Sequence, residues 1–345
     1  LNAWDQNLCL PAMCPVGARL DAIASRWVCE LIGLPEPAIA AFCGGATVAN
    51  LTCIIAARDE LLRRAGWDVH TQGLCGAPPI SVITSEEAHV SALRALRHAG
   101  IGTNAIQIVE TDNLGRMKAS SFPETDDLTL TVLQAGNVNT GYSDPFDEII
   151  PRVRSAGGWV HVDGAFGLWA AASPQYAHKW LNAPYDSGIA ICARKEDLHR
   201  AMVADAAYLL TDSDRVPMHL GLQMSQRARA IETWAIIASK GKAGIAQMVD
   251  HLCEMATRMA TRLSAGGANQ LVSGGLNQLL FSFGNDEETD CVIAAVQNDR
   301  TCWVGGTTWQ GHRAMRISLS DSSTTNQDVD ECASAILKCW RDVTA

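Results

Sequence analysis

Four short segments of this sequence place chemically capable side chains beside turns or strand ends. Gly44-Gly45-Ala46-Thr47 precedes a helical run over 48–58. Paired glycines let a backbone approach a ligand closely, and a helix N-terminus favours an anion. The segment reads as a phosphate cup lined by Ala46 and Thr47; a plain turn capped by Thr47 is the competing reading. His89 follows an apolar run at 80–84, as a surface histidine or a site residue. Trp159-Val160-His161-Val162-Asp163 ends an apolar strand on a carboxylate. A buried carboxylate needs a cation, a metal or a donor. A protonated pyridine nitrogen is one such partner; capping the next helix is another use. A metal is disfavoured, because no further His/Asp/Glu cluster completes a sphere around His161 and Asp163. His178-Lys179-Trp180 sets a lysine between two rings. Desolvation lowers a lysine pKa and makes it a nucleophile for Schiff-base chemistry.

The elements that must position these groups are legible as apolar runs. Segments 80–84, 105–110, 128–133, 159–163 and 187–193 are nearly all apolar, the pattern of strands covered on both faces. Helical patterns separate them, as at 91–98. The alternation predicts an α/β fold with a mostly parallel central sheet flanked by helices. The chemical groups then gather at strand ends and helix starts, where open α/β sheets bind ligands. A helical region spans 222–263, with a break near 240–244. After it, strand-like runs at 279–283, 302–305 and 315–319 and an amphipathic helix at 328–340 predict a smaller C-terminal α/β domain. The expected division is a large domain over 1–240 and a small one over 241–345.

Composition bounds the function. With 27 Lys+Arg against 37 Asp+Glu the net charge is −10, which argues against a nucleic-acid binder. A chain 48% hydrophobic and 19% charged is not a disordered one. No apolar run approaches the roughly 20 residues that cross a bilayer, so no membrane partner is expected. Twelve cysteines without a CxxC pair suggest neither a disulfide scaffold nor a zinc site, but buried reduced thiols in a cytoplasmic protein. The chain opens on Leu1 with no basic and apolar leader, as a fragment or processed chain does.

The order of the motifs is more specific than any one of them. CGGATVANLTCIIAAR (43–58), SEEAHVSALRAL (85–96), LQAGNVNTGYSDPFDEI (133–149), WVHVDGAFGLW (159–169), HKWLNAPYDSG (178–188) and SQRARAIETWA (225–235) together resemble the pyridoxal-phosphate-dependent group II decarboxylases. The resemblance runs from about residue 4 to 340. It implies the aspartate-aminotransferase-type fold (fold type I) and a carboxy-lyase acting on an L-amino acid as a homodimer. By the same resemblance Ala46 and Thr47 bind the phosphate of pyridoxal 5'-phosphate, and His89 stacks on its ring. Asp163 pairs with the ring nitrogen, Lys179 forms the Schiff base, and His178 supports it. Arg316 matches a position that can meet a substrate carboxylate; a structural arginine is the alternative. An aminotransferase or another lyase of the same fold, or a truncated non-catalytic relative, are the rival readings.

Two departures from the family pattern carry expectations. Lys179 stands sixteen positions after Asp163, a shorter connection than the resemblance to the family leads one to expect. Parallel neighbours need a crossover of a dozen or more residues, so one core strand is expected to be missing. The family's N-terminal region is also expected to be absent. The segment 203–221 matches the family's active-site loop, but Tyr208 stands before the expected loop tip and gives no clear match to the loop tyrosine.

Overall fold

Short apolar segments become strands of a layered α/β structure, buried on both faces at its centre and partly exposed at the β3 edge. The computed structural model describes residues 6–172, 183–204 and 215–345. Its elements are α1 (Pro15–Leu31), β1 (Ile39–Cys43), α2 (Ala46–Arg64), α3 (Val69–Gln72), β2 (Ser81–Ser85), α4 (Val90–His98), β3 (Ile106–Val109), β4 (Thr129–Gln134), α5 (Phe146–Ser155) and β5 (Trp159–Asp163). They continue with β6 (Gly188–Cys192), α6 (Lys195–Met202), α7 (Ala230–Ala265), β7 (Asn269–Val272), β8 (Gln278–Ser282), α8 (Asp286–Asp299), β9 (Gly305–Trp309), β10 (His312–Ser318) and α9 (Asn326–Thr344).

The strands β3-β2-β4-β5 form a wholly parallel sheet. All six residues of β4 are buried, as its central place requires. Ile54, Leu61 and Leu96 of α2 and α4 cover one face with Val82, Leu130 and Val132. Ile149 and Val153 of α5 cover the other with Ile83 and Leu133.

The expected strand at 187–193 forms as β6, but it is antiparallel and pairs with β1, a strand the apolar-run reading passed over. Among the described residues β5 pairs only with β4 and β6 only with β1, so the large-domain strands fall into two sheets. The chain between β5 and β6 includes residues 173–182, so the expectation of a missing strand there falls outside the described residues.

Helix α2 spans the division. Ala49 and Ala56 pack on Ala41, Ala190 and Cys192 of the two-stranded sheet, while Ile54 and Leu61 pack on the parallel one. At its C-terminal end, buried Glu60 accepts hydrogen bonds from Arg63 (2.7 Å), Arg64 (2.9 Å) and, from α6, Arg200 (2.8 Å). The guanidinium of Arg194 also lies 5.5 Å from the ring centre of Trp159, joining the β6 side to β5.

The C-terminal residues build an antiparallel sheet, β7-β8-β10-β9. Phe281, Met315 and Ile317 on one face pack under α8, α9 and the second half of α7. The other face carries Leu280, Trp309 and Ala314 and meets Leu114 and Tyr142. Helix α7 serves both cores: Ile245 to Cys253 pack with α1 and β1, and Met255 to Leu263 with the small sheet. Its backbone is non-helical at Gly241 (φ 63°), inside the break expected at 240–244.

Two expectations are corrected. Residues 222–229 are irregular rather than helical, because Arg227 and Arg229 are turned aside to Asp186. Residues 302–304 are not strand: Trp303 is 76% exposed, while Val304 beside it is buried in the core. Among the described residues, no helix is long and apolar enough to cross a membrane.

The arginines around Glu60 hold its carboxyl down to about 2, from 4.5. A depressed carboxyl stabilises the fold above its unfolded value, and that stabilisation is lost as pH falls from about 4.5 toward 2. Urea unfolding of Glu60→Gln is expected to show a flatter acid limb than the wild type over that window. Parallel limbs would mean that Glu60 does not brace α2.

Candidate functional site

The cup at the mouth of α2 is built by backbone. Gly45 is its N-cap at φ 105°, a left-handed conformation that disfavours a side chain, and no side chain caps the helix. This corrects the reading of Thr47 as the cap: Thr47 sits in the first turn, exposed beside Ala46. Neither their N–H groups nor the Thr47 hydroxyl finds a partner among the described residues. Gly188 packs so closely that a Cβ there would meet the Gly45 carbonyl carbon at 2.4 Å. Beside it the Ser187 hydroxyl is buried with no hydrogen-bond partner. The ion pair of Arg229 with Asp186 (3.1 Å) stands against Gly44. Open N–H groups at the start of a 19-residue helix suit an anion.

One turn further along α2, a polar cluster is buried against β5. His161 and Asp163 lie on the same strand face, only 6% and 5% exposed. Asp163 Oδ1 accepts from Ala165 N–H (3.1 Å), and Oδ2 accepts from Asn50 Nδ2 (2.9 Å). The Oδ1 of Asn50 meets His161 Nε2 at 3.0 Å. Burial pushes the His161 pKa below its usual value, against the opposing charge of Asp163. Asp163 therefore has donors of its own, but it does not cap a helix through them; the Ala165 contact closes a short turn.

His89 caps α4, with Nδ1 accepting from Ser91 N–H (3.2 Å) and 2.8 Å from the Ser91 hydroxyl. The turn before it is tied to β4 by Gln134 Nε2 donating to the Glu87 carbonyl (2.9 Å). Gln134 in turn lies beside Asp163 in the ladder, so both groups hang on the carboxyl edge of one sheet. His89, Asp163, Ala46 and Thr47 are thus brought together around α2.

Arg316 stands apart, on β10 of the small domain. It shares a strand face with Ala314, the face turned toward Leu114 and Tyr142. Its guanidinium has no hydrogen bond or ion pair among the described residues, and burial alone lowers its pKa. His178, Lys179 and Tyr208 lie outside the described residues. The chain on either side of 173–182 is anchored, since Ala172 and Ala183 pack in the same core as Phe42. Every other lysine is a surface residue: Lys118 and Lys338 pair with Glu110 and Asp342, and Lys195, Lys240 and Lys242 are exposed. Cys43 and Cys53, near the cup, are no nucleophiles, because burial pushes both thiols up to about 12. Among the described residues no cluster of His, Cys, Asp or Glu could hold a metal.

Sequence reasoning did not single out Asn50 or Ser91. The available signal was a poor helix former placed on the apolar face of α2.

The arrangement sets open N–H groups at the mouth of α2 about one helical turn from the amide that holds a buried carboxylate. The sequence matches the pyridoxal-dependent decarboxylase conserved domain over residues 3–283, and the chain belongs to that family. It is 25% identical to an aromatic-L-amino-acid decarboxylase of Bacillus atrophaeus over 68% of this chain and 52% of the relative. It is 23% identical to an L-2,4-diaminobutyrate decarboxylase of Acinetobacter baumannii over 81% and 61% of the two chains. The chain therefore spans about half to three fifths of these relatives. The fold is shared with Oryza sativa TDC solved with PLP and tryptamine, at a TM-score of 0.91 and 17% identity over 100% of this chain and 80% of that one.

A buried histidine that stays neutral destabilises the fold in acid. Below about 6.5 the unfolded chain takes up a proton that the folded chain does not, so stability falls by up to about 1.4 kcal/mol per pH unit. His161→Gln is expected to lose less stability than the wild type between pH 6.5 and 5 in urea titrations. Equal losses would mean that His161 protonates freely in the fold.

Proposed function

We propose that this chain binds pyridoxal 5'-phosphate and decarboxylates an L-amino acid. The observation that carries the reading is α2 itself, with an open anion-binding N-terminus and, one turn on, an amide fastened to buried Asp163. Ala46 and Thr47 would hold the phosphate through N–H groups and a hydroxyl. Asp163 would hold the protonated ring nitrogen, and His89 would cover the ring. Lys179, adjoined by His178, would hold the cofactor covalently; its support is the family motif and the surface positions of all other lysines. When bound, the cofactor supplies an electron sink for the pair left behind by carbon dioxide.

The chain's own residues set the conditions for that chemistry. Buried Asp163 would hold a proton on the cofactor's ring nitrogen by offering it a carboxylate. Arg316 would meet the substrate carboxylate, since a half-buried guanidinium with no ion pair among the described residues suits an anion. A homodimer is the assembly we infer; exposed Met13, Val16, Leu222 and Met224, on segments joined by the bond of Leu8 N–H to the Gln226 carbonyl, offer it an apolar surface. Twelve free thiols accord with a cytoplasmic setting.

The division between β5 and β6 favours one second reading, a non-catalytic relative. Borohydride reduction in the presence of pyridoxal 5'-phosphate, followed by peptide mapping, separates the two. A single adduct on Lys179, with carbon dioxide released from an amino acid, is expected. Folded protein labelled on scattered surface lysines would replace the first reading by the second. Arg316→Ala is expected to raise KM for the amino acid about tenfold or more, the loss of one charge-assisted hydrogen bond, with kcat less affected. An unchanged KM would make Arg316 structural.

A further inference from the structure

Asn50 is an unusual residue to bury in the second turn of a helix. Asparagine is a poor helix former, and at 5% exposure its amide must be satisfied by protein. Both ends are. Nδ2 donates to Asp163 Oδ2 at 2.9 Å and reaches Ser91 Oγ at 3.4 Å, while Oδ1 faces His161 Nε2 at 3.0 Å. Turning the amide over would set its oxygen against a carboxylate oxygen, acceptor on acceptor, so the orientation is fixed by its neighbours.

The directions of the remaining bonds follow. An amide oxygen only accepts, so His161 carries its hydrogen on Nε2. At His89, Nδ1 accepts from the backbone N–H of Ser91, so that nitrogen carries no hydrogen. The Ser91 hydroxyl must then donate to Nδ1, which leaves its oxygen to accept from Asn50. Donation therefore runs from Asn50 to Ser91 to His89 on one side, and from Asn50 to Asp163 on the other. Ala165 N–H holds the second carboxyl oxygen, so Asp163 is gripped at both atoms.

We infer that Asn50 is a positioning residue: one amide fixes the carboxyl of Asp163 and the tautomer of His161, and through Ser91 orients the ring of His89. This rests on the reading of Asp163 and His89 as cofactor contacts. It adds that the two are set as a unit by helix α2, and not independently by their own strands. Ser91 serves the His89 arm alone.

The histidine ring nitrogens of the whole chain, observed by 15N NMR without cofactor, test the network directly. The wild type is expected to show His161 and His89 each with hydrogen on Nε2. Asn50→Ala should change the signals of both rings, although it touches only His161. Ser91→Ala should change His89 and leave His161 as it was. The same three proteins are then titrated with pyridoxal 5'-phosphate. Asn50→Ala is expected to bind at least about tenfold more weakly, with a shifted pH profile of the cofactor's absorbance. If the wild type binds no cofactor, the functional reading fails, while the ring signals still decide whether Asn50 sets the two histidines. If His89 is unmoved in Asn50→Ala, or both variants bind like the wild type, the inference is overturned. Should Asn50→Ala fail to fold, Ser91→Ala alone decides: an unmoved His89 overturns the relay.

Discussion

Helix α2 holds together two sheets that share no backbone hydrogen bonds among the described residues. In a continuous parallel sheet, ladder bonds would fix the spacing of neighbouring strands. Among the described residues the two sheets are bridged by side chains of this helix, apolar along its length and ionic at its end, and by Arg194 over Trp159. Ala49 and Ala56 bring α2 close to β1 and β6, and Ile54 and Leu61 fill the space over β2 and β4. Small residues on one side and large ones on the other fit a helix seated off-centre over a step. Glu60, gripped by arginines of α2 and α6, closes the far end.

The same helix gathers the site. Its mouth offers N–H groups unpaired among the described residues, and its second turn offers an amide to Asp163 at the carboxyl edge of the parallel sheet. Burying Asp163 and His161 side by side is costly unless each polar atom is matched. One asparagine matches both, which makes the cluster a single hydrogen-bonded body rather than a set of separate contacts. The small domain contributes differently. Its sheet turns one face to α8, α9 and the second half of α7 and the other toward Leu114 and Tyr142, and Arg316 stands on that second face with no ion pair among the described residues.

Membership of the pyridoxal-dependent decarboxylase family agrees with this architecture and sharpens what is particular to this chain. Relatives of this kind are longer, and this chain holds the family's motif order within 345 residues. The short stretch between Asp163 and Lys179 falls where the two sheets part. Among the described residues, α2 packs against both sheets.

The sequence by itself determined the fold class, the strands that carry Asp163 and precede His89, and the family. These are local or ordered signals: apolar runs of strand length, glycines before a helix, and motifs in a fixed succession. It did not determine that the strand at 187–193 runs antiparallel beside β1, because direction and pairing leave no mark on an apolar run. Exposed Trp303 looked like strand for the same reason, since residue type does not reveal which face meets water. Nor did it reveal Asn50 or Ser91. A single asparagine in a helix carries no periodic signal, and its role exists only once folding brings Asp163, His161 and His89 within hydrogen-bond reach. Residues 50, 91 and 163 are distant along the chain and adjacent in space, and that adjacency is a property of packing which only the tertiary structure decides.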